Sequence, residues 1–330
     1  MTTVNFGEMR IEVEDGETVL RAMERAGCEV PSSCRAGVCQ SCLMRAVDGE
    51  PPEGAQRGIR APLRALGAFL PCVCVPNEDL VVRRAGIGPQ TVPARIISRT
   101  HFTPTVAAIE LRLLGEFDAR GGQFLNLVRS DGLTRAYSIA NLPDRTGTVR
   151  LHVRRVEGGR MSTWLHEADI IGGKVKVRGP AGECVYPSEG AHRPLLLVGT
   201  GTGLAPLVGI LREALRQGHD APITLVHGAK NPERLYLTER LRSIAAENPH
   251  IGFHPCASTS DGGDPQIRVG SLVDVVADVC PNPTDHLAYV CGRPETVKRV
   301  KQSIFLAGAS SRDIFSDPFI RAEPAEREGC

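Results

Sequence analysis

The stretch Cys34-Arg35-Ala36-Gly37-Val38-Cys39-Gln40-Ser41-Cys42, with Cys72 downstream, constrains this chain more than any other. Three cysteines in nine residues, separated mostly by small side chains, cannot be neighbours along a regular helix or strand. They fit a tight loop wrapped around an inorganic centre, and Gly37 lets the backbone take the positive φ such a loop needs. The C-x4-C-x2-C…C spacing is that of four thiolates holding a [2Fe–2S] cluster. Cys34, Cys39, Cys42 and Cys72 are therefore the predicted metal ligands. Zinc is the alternative, but a zinc ribbon uses two C-x2-C pairs, and the distal pair Cys72-x-Cys74 has the wrong spacing. Gln40 places a long side chain in a loop that favours small ones. Pro71 withholds a backbone N–H just before the last ligand, where such groups tune a cluster. Cys28 and Cys74 lie off the pattern and read as buried small apolar residues.

Eleven cysteines in all, an odd number in a long chain with no apolar opening segment, argue against a disulfide framework. A reducing cytoplasm is the expected location. No stretch approaches the ~18–20 apolar residues of a membrane span. At 330 residues the chain exceeds one ordinary domain. A net charge of +1 exerts no overall pull toward nucleic acid or anionic membrane, but its distribution is uneven: residues 85–187 carry +5, and the segments on either side −2 each. An electropositive middle suits a bound diphosphate or an acidic partner surface; on charge alone, a merely arginine-rich surface reads the same.

Residues 3–13 alternate around Gly7-Glu8 and predict a hairpin. Thr18 is positioned to cap a helix running to Ala26. Strands are expected at Leu43–Val47, Cys72–Pro76 and Leu80–Arg83, giving a small α+β unit over 1–84. Residues 85–93 are a Gly/Pro-rich linker candidate. Short apolar runs at 94–97, 106–113, 124–128, 149–154 and 174–177 then predict an all-β barrel over 94–187, with a helix opening at Ser162. From Leu195 a continuous apolar run marks a buried parallel strand. Further runs at 223–227, 251–256 and 287–290, with helical segments between, predict a doubly wound α/β domain over 194–320. Residues 321–330 form a polar tail.

Gly199-Thr200-Gly201-Thr202-Gly203-Leu204-Ala205-Pro206 joins a strand to a helix, where backbone N–H groups and the helix end can hold a diphosphate. It departs from G-x-G-x-x-G at Leu204, and a tight structural turn would look similar. Cys291-Gly292-Arg293-Pro294 follows another strand of the same sheet, so both turns fall where such sheets bind ligands. In the middle segment, Arg135-Ala136-Tyr137-Ser138 offers a cation, a ring and a hydroxyl on one strand, with Arg135 and Tyr137 on one face; an exposed strand edge reads the same. His152-Val153-Arg154 lies on a later strand. Gly159-Arg160-Met161-Ser162-Thr163 opens a helix and offers a second anion site.

Taken together, these motifs resemble the ferredoxin-NADP reductase superfamily. Over about residues 3–320 the chain looks like the reductase components of bacterial multicomponent ring-hydroxylating oxygenases, such as naphthalene and benzoate dioxygenase reductases. The resemblance implies an N-terminal plant-type β-grasp [2Fe–2S] ferredoxin domain, an antiparallel FAD-binding β-barrel and a doubly wound NAD-binding domain. It implies that Arg135 contacts the flavin nucleotide's phosphates, that Tyr137 packs on the isoalloxazine, with Ala136 between them, and that Ser138 lies near flavin N5. Gly159, Met161, Ser162 and Thr163 match the segment holding the FAD diphosphate, with Arg160 in the same loop, and His152, Val153 and Arg154 are counted with the cofactor contacts. Thr200, Gly201, Thr202, Gly203 and Pro206 match the nicotinamide-nucleotide turn. Cys291, with Gly292, lies near the reacting nicotinamide, and Asp317-Pro318-Phe319 matches the closing stretch that places Phe319 over the flavin. Tyr137, Ser138 and Cys291 are then the catalytic candidates. The implied path runs from NADH, in preference to NADPH, through FAD and the [2Fe–2S] cluster to an oxygenase of aromatic catabolism, Rieske-type or di-iron, directly or through a ferredoxin, with the reductase a monomer. A reductase for sugar deoxygenation, and a non-enzymatic redox-sensing or electron-transfer subunit, are the rival readings.

Overall fold

The computed structural model describes residues 2–59, 63, 64, 66–84, 90–142, 147–187, 192–260 and 263–320. Residues 85–89 of the expected linker and the expected polar tail lie outside the described residues.

In the N-terminal module, strands β1 (Thr2–Phe6) and β2 (Met9–Val13) form the expected hairpin around Gly7, at φ +62°. Thr18 Oγ accepts from Arg21 N at 3.4 Å and starts helix α1 (Val19–Arg25), which buries Val19, Leu20, Ala22 and Met23. Strands β3 (Met44–Asp48), β4 (Ala68–Phe69) and β5 (Leu80–Arg84) complete a sheet of order β2-β1-β5-β3-β4, with β5 parallel to β1. Val4, Met23, Phe69 and Leu80 form its core with the fully buried Cys74, and Cys28 joins them. The strand expected at Cys72–Pro76 is instead a 3-10 turn over Pro71–Val73. Proline at the first position of a helical turn has its φ preset and needs no N–H partner, so Pro71 starts a turn that tucks Cys72 beneath the cysteine loop.

The middle module holds strands β6 (Gln90–Thr103), β7 (Val106–Leu113), β8 (Phe124–Val128), β9 (Thr134–Ser138), β10 (Thr148–Arg154) and β11 (Lys174–Ala181), with helix α2 (Arg160–Glu167) between the last two. They form one antiparallel sheet, order β10-β7-β6-β11-β8-β9, and a bridge between Ile139 and Leu151 ties its two edges. Ile96, Ile109, Leu125, Leu151 and Val177 are fully buried within it. Strand β6 begins at Gln90, so the last residues of the expected linker are strand. Pro93 fits there because its carbonyl still accepts from Leu114 N at 2.8 Å.

The C-terminal module runs β12 (Leu195–Thr200), α3 (Leu204–Arg216), β13 (Ile223–Ala229), α4 (Thr238–Glu247), β14 (Ile251–Ala257), β15 (Arg268–Val269), α5 (Leu272–Val279), β16 (Leu287–Gly292), α6 (Pro294–Leu306) and β17 (Ile314–Pro318). Every neighbouring pair in its sheet, order β15-β14-β13-β12-β16-β17, is parallel. Leu195 to Val198 are fully buried because helices cover both faces. The chain winds outward in both directions from β12, so the crevice above β12 and β16 is the switch point where such sheets take ligands. No helix among the described residues is long and apolar enough to cross a membrane.

Candidate functional site

The four thiols are all buried and come as two pairs. In the first, Cys39 N donates to Cys34 Sγ at 3.3 Å, Cys34 N to Cys39 Sγ at 3.4 Å and Ala36 N to Cys34 Sγ at 3.4 Å. The Cys39 thiol, with the amides of Ala36, Cys39 and Val38, pulls Cys34 down, while Cys34 and burial push Cys39 up, so Cys34 is the readier of the two to ionise. In the second, the Cys42 thiol lowers Cys72, helped by the backbone N–H of Gly37. Amides aimed at sulfur favour thiolates, and two thiol pairs, one within the loop and one joining the loop to the Pro71–Val73 turn, match a two-iron centre. The donor set therefore fits the [2Fe–2S] group. Gly37 sits at φ +76°, and a Cβ there would meet Val73 at 3.1 Å. Gln40 takes φ +52° and turns outward, its amide donating to the carbonyl of Gly58 at 2.8 Å, so its length ties down the following loop.

The cysteine loop rests on the middle module. Phe124 and Ala181 pack against Cys34 and Cys39. Ser33 Oγ donates to the Thr134 carbonyl at 3.1 Å, and Asn126 bonds both Cys39 and Ser41. Strand register puts Phe124 opposite Ser138 and Asn126 opposite Ala136, and opposed residues share a face. One sheet face thus carries both the loop contact and Ser138, about 7 Å apart along the strand. Arg135 and Tyr137 lie on the other face, opposite the buried Leu127 and Leu125.

Ser138 Oγ donates to Asp317 Oδ2 at 3.1 Å, across 179 positions of sequence. Strand β17 delivers that carboxylate by pairing with β16, where Asp317 lies beside Cys291 and Phe319 N donates to the Gly292 carbonyl at 2.7 Å. Ser138, Cys291, Asp317 and Phe319 are thereby gathered at one end of the crevice. Burial pushes the Asp317 carboxyl up to about 6, against the lowering effect of Ser138, and burial with the neighbouring Cys184 thiol pushes Cys291 up. Between about pH 4 and pH 6 the native chain then holds a proton on Asp317 that the unfolded chain releases, so this group's contribution to stability falls as pH rises through that window. The Asp317→Asn variant should therefore gain in melting temperature relative to the unsubstituted protein between pH 4 and pH 7. A gap that stays constant with pH would mean an ordinary carboxyl.

Beside this crevice, Arg135 donates to the Thr134 carbonyl at 2.7 Å, and among the described residues it pairs with no carboxylate. Gly159 caps α2, Ser162 Oγ donates back to the Gly159 carbonyl at 3.1 Å, and Thr163 N bonds the same carbonyl. An unneutralised guanidinium and a helix start suit a flavin diphosphate. Met161 and Val153 turn their side chains into the module core, so only their backbones remain for a ligand. Arg160 is ion-paired with Asp131 at 3.3 Å.

The turn after β12 is shaped by contact. A Cβ on Gly203 would fall on the Cys291 carbonyl, and one on Gly292 would lie 2.6 Å from Thr200. Gly201 takes φ +56°, with the Arg154 guanidinium close by. Thr202, Gly203 and Pro206 are buried where the turn enters α3. A cation and a helix start at a glycine turn fit a nicotinamide dinucleotide's diphosphate. His152 faces elsewhere: its Nδ1 meets the Tyr236 hydroxyl at 3.0 Å inside an aromatic junction with Phe102. Burial lowers it to about 3, leaving a neutral ring. His227 Nε2 donates to the Gly201 carbonyl at 3.0 Å and lies edge-on to Tyr236. Tyr236, His227 and Asn126 were missed by the sequence reading, and no local pattern marks them.

Three family models match in order: a 2Fe-2S iron-sulfur cluster binding domain over residues 2–77, an oxidoreductase FAD-binding domain over 93–186 and an oxidoreductase NAD-binding domain over 197–302. The aromatic O-demethylase reductase subunit of Amycolatopsis sp. is 34% identical over 97% of this chain and 98% of its own length. The naphthalene 1,2-dioxygenase system ferredoxin–NAD(P)(+) reductase component of Pseudomonas putida is 31% identical over 92% and 94%. Among solved structures, Amycolatopsis cytochrome P450 reductase GcoB superposes with a TM-score of 0.70 at 31% identity, covering 97% of this chain and 99% of that one.

Proposed function

Since the chain belongs to the family of oxygenase reductase components, with 2Fe-2S, FAD-binding and NAD-binding domains in that order, we propose that it takes electrons from NADH and delivers them singly to an oxygenase acting on aromatic compounds. The observation that supports this is the single sheet face bearing both Ser138 and the Asn126 contact to the cysteine loop, a separation of about 7 Å along the strand, short enough for electron transfer between groups held at the two places. When bound, the nicotinamide supplies a hydride, the flavin divides the electron pair and the cluster passes the electrons on.

The chain's own residues position and insulate. The Gly201–Gly203 turn with Arg154 holds the dinucleotide, and Cys291 and Gly292 wall the place where its ring lies. Arg135 and the start of α2 hold the flavin's diphosphate, with Tyr137 against the flavin ring. Ser138 presents its hydroxyl where the hydride arrives, and Asp317 fixes that hydroxyl's direction. Cys34, Cys39, Cys42 and Cys72 supply thiolates to the cluster. The domain limits we assign are 1–84, 90–187 and 194–320, because β6 already pairs with β11 from Gln90 onward. Beside the Rieske-type and di-iron acceptors we consider, the similar Amycolatopsis cytochrome P450 reductase GcoB adds a cytochrome P450 as a third acceptor class.

NADH preference rests on the end of β14. Ser258, Thr259 and Ser260 follow it without an adjacent arginine, and Thr259 Oγ donates to the Lys230 carbonyl at 3.0 Å. A 2′-phosphate needs a cationic pocket near the ends of such strands; Lys230 and Arg234, exposed after β13, are the cations that would supply one, and they count against the preference. Anaerobic addition of NADH should bleach the flavin and then reduce the cluster, with a higher kcat/KM than NADPH gives. A flavin that NADH leaves oxidised would remove the proposed activity, and equal use of NADPH would remove the preference alone.

A further inference from the structure

Asn126 has no exposed surface, and both ends of its amide serve another module. Nδ2 donates to the Cys39 carbonyl at 3.1 Å, and Oδ1 accepts from Ser41 Oγ at 2.7 Å. A backbone carbonyl can only accept, so it determines which end of the amide faces it. Oδ1 must then face Ser41, and Oδ1 also only accepts. The single hydroxyl proton of Ser41 therefore lies on the Asn126 side. Yet the same hydroxyl oxygen is 3.3 Å from Cys39 Sγ. As a thiolate ligand that sulfur also only accepts, so it competes with Asn126 for one proton.

We propose that Asn126 is a positioning residue for the cluster: it draws the Ser41 hydroxyl proton away from the Cys39 sulfur and thereby holds the cluster at a lower reduction potential while the modules are docked. The inference rests on the reading of the cysteine loop as a [2Fe–2S] site. Hydrogen bonds to ligand sulfur set the potential of such clusters, and they favour the more negative, reduced form. The other hydrogen bonds between loop and middle module lack this feature. Ser33 donates to the Thr134 carbonyl, and Arg178, opposite Asn126 in the sheet register, donates to the Ser41 carbonyl at 3.3 Å; in the Asn126 contact alone of these does a ligand sulfur compete for the proton. When the loop leaves the middle module, Ser41 is free to turn to Cys39, so undocking and a rise in potential are one event.

The test is an EPR-monitored redox titration of cluster-loaded protein. Asn126→Leu keeps the volume, keeps water out and removes the acceptor. Its midpoint should rise by about a tenfold change in the one-electron equilibrium, about 59 mV. Ser41→Ala alone should leave the midpoint near that of the unsubstituted protein, and the double variant Asn126→Leu with Ser41→Ala should cancel the rise. Should Asn126→Leu not load a cluster, Asn126→Ala carries the same expectation. An unmoved midpoint overturns the proposal. So does a rise that persists in the double variant, which would trace it to solvent entry. Unsubstituted protein without iron and sulfide would instead sink the cluster reading itself, so the two failures are told apart.

Discussion

Replacing Cys39 by serine is expected to remove most cytochrome c reduction and all support of an oxygenase, while NADH-dependent ferricyanide reduction stays close to its original rate. Serine is a poor ligand for a cluster that needs thiolates. Cys39 sits in the first thiol pair, and its carbonyl also anchors the Asn126 amide, so the substitution disturbs ligation where the loop meets the middle module. The middle and C-terminal modules keep their own buried cores, and domains with separate cores tolerate damage elsewhere. Flavin content should therefore hold, and ferricyanide is small enough to take electrons at the flavin. Steady-state assays with the two acceptors on one preparation decide the matter. Undiminished cytochrome c reduction would mean that the cluster is not on the path to protein acceptors.

Gly209→Ala is the second substitution with a large expected effect, because it acts at the junction between the middle and C-terminal modules. Gly209 lies inside α3, where alanine ordinarily stabilises a helix by about 0.5–1 kcal/mol. Here a Cβ would lie 2.5 Å from Gly122 N, 2.7 Å from the Ile139 carbonyl oxygen and 2.9 Å from Gly121 C. All three are backbone atoms and cannot rotate aside. The helix must back away from the middle module, at a cost of about 1–3 kcal/mol for overpacking. The turn that opens α3 moves with it, and a displacement near 1 Å at a reacting pair costs on the order of 10²-fold in rate. NADH-dependent ferricyanide reduction should fall by that order while cluster absorbance is retained. Gly54→Ala, with open space and an ordinary backbone, is the matched control. Equal rates for the two variants would show that the junction has slack.

Much of the architecture could be read from local pattern. The C-x4-C-x2-C spacing located the loop because ligand geometry dictates spacing directly. Leu195–Val198 marked the central strand because a strand covered on both faces has no polar side to show. The Gly199–Gly203 turn was visible because Gly203 lies against the Cys291 carbonyl, where no side chain fits. What stayed hidden depends on partners far away in sequence. Asn126 sits in an apolar strand and gains its role only from a loop 85 residues earlier. Tyr236 and His227 matter through Phe102 and His152 of another module. His152 and Met161, expected at the cofactors, carry side chains that face the junction and the core, because a motif fixes where the backbone passes but not which way each side chain turns. Cys72–Pro76 misled through composition, since β-favouring residues were overruled by the proline that starts a turn.

The pairing of β17 with β16 also bears on how the protein is made. Chains emerge from the ribosome from the N-terminus, and modules fold as they appear. Strand β5 closes the cysteine module by residue 84, and β11 closes the middle sheet by residue 181. Asp317, the partner of Ser138, emerges only after the other five strands of the parallel sheet have been translated. A nascent chain can thus complete its cysteine module early, but it presents Ser138 without its carboxylate until residues 314–318 have emerged and paired with β16. A half-made chain therefore carries Ser138 with no buried carboxylate to receive its proton, and β17 completes that contact across 179 positions of sequence.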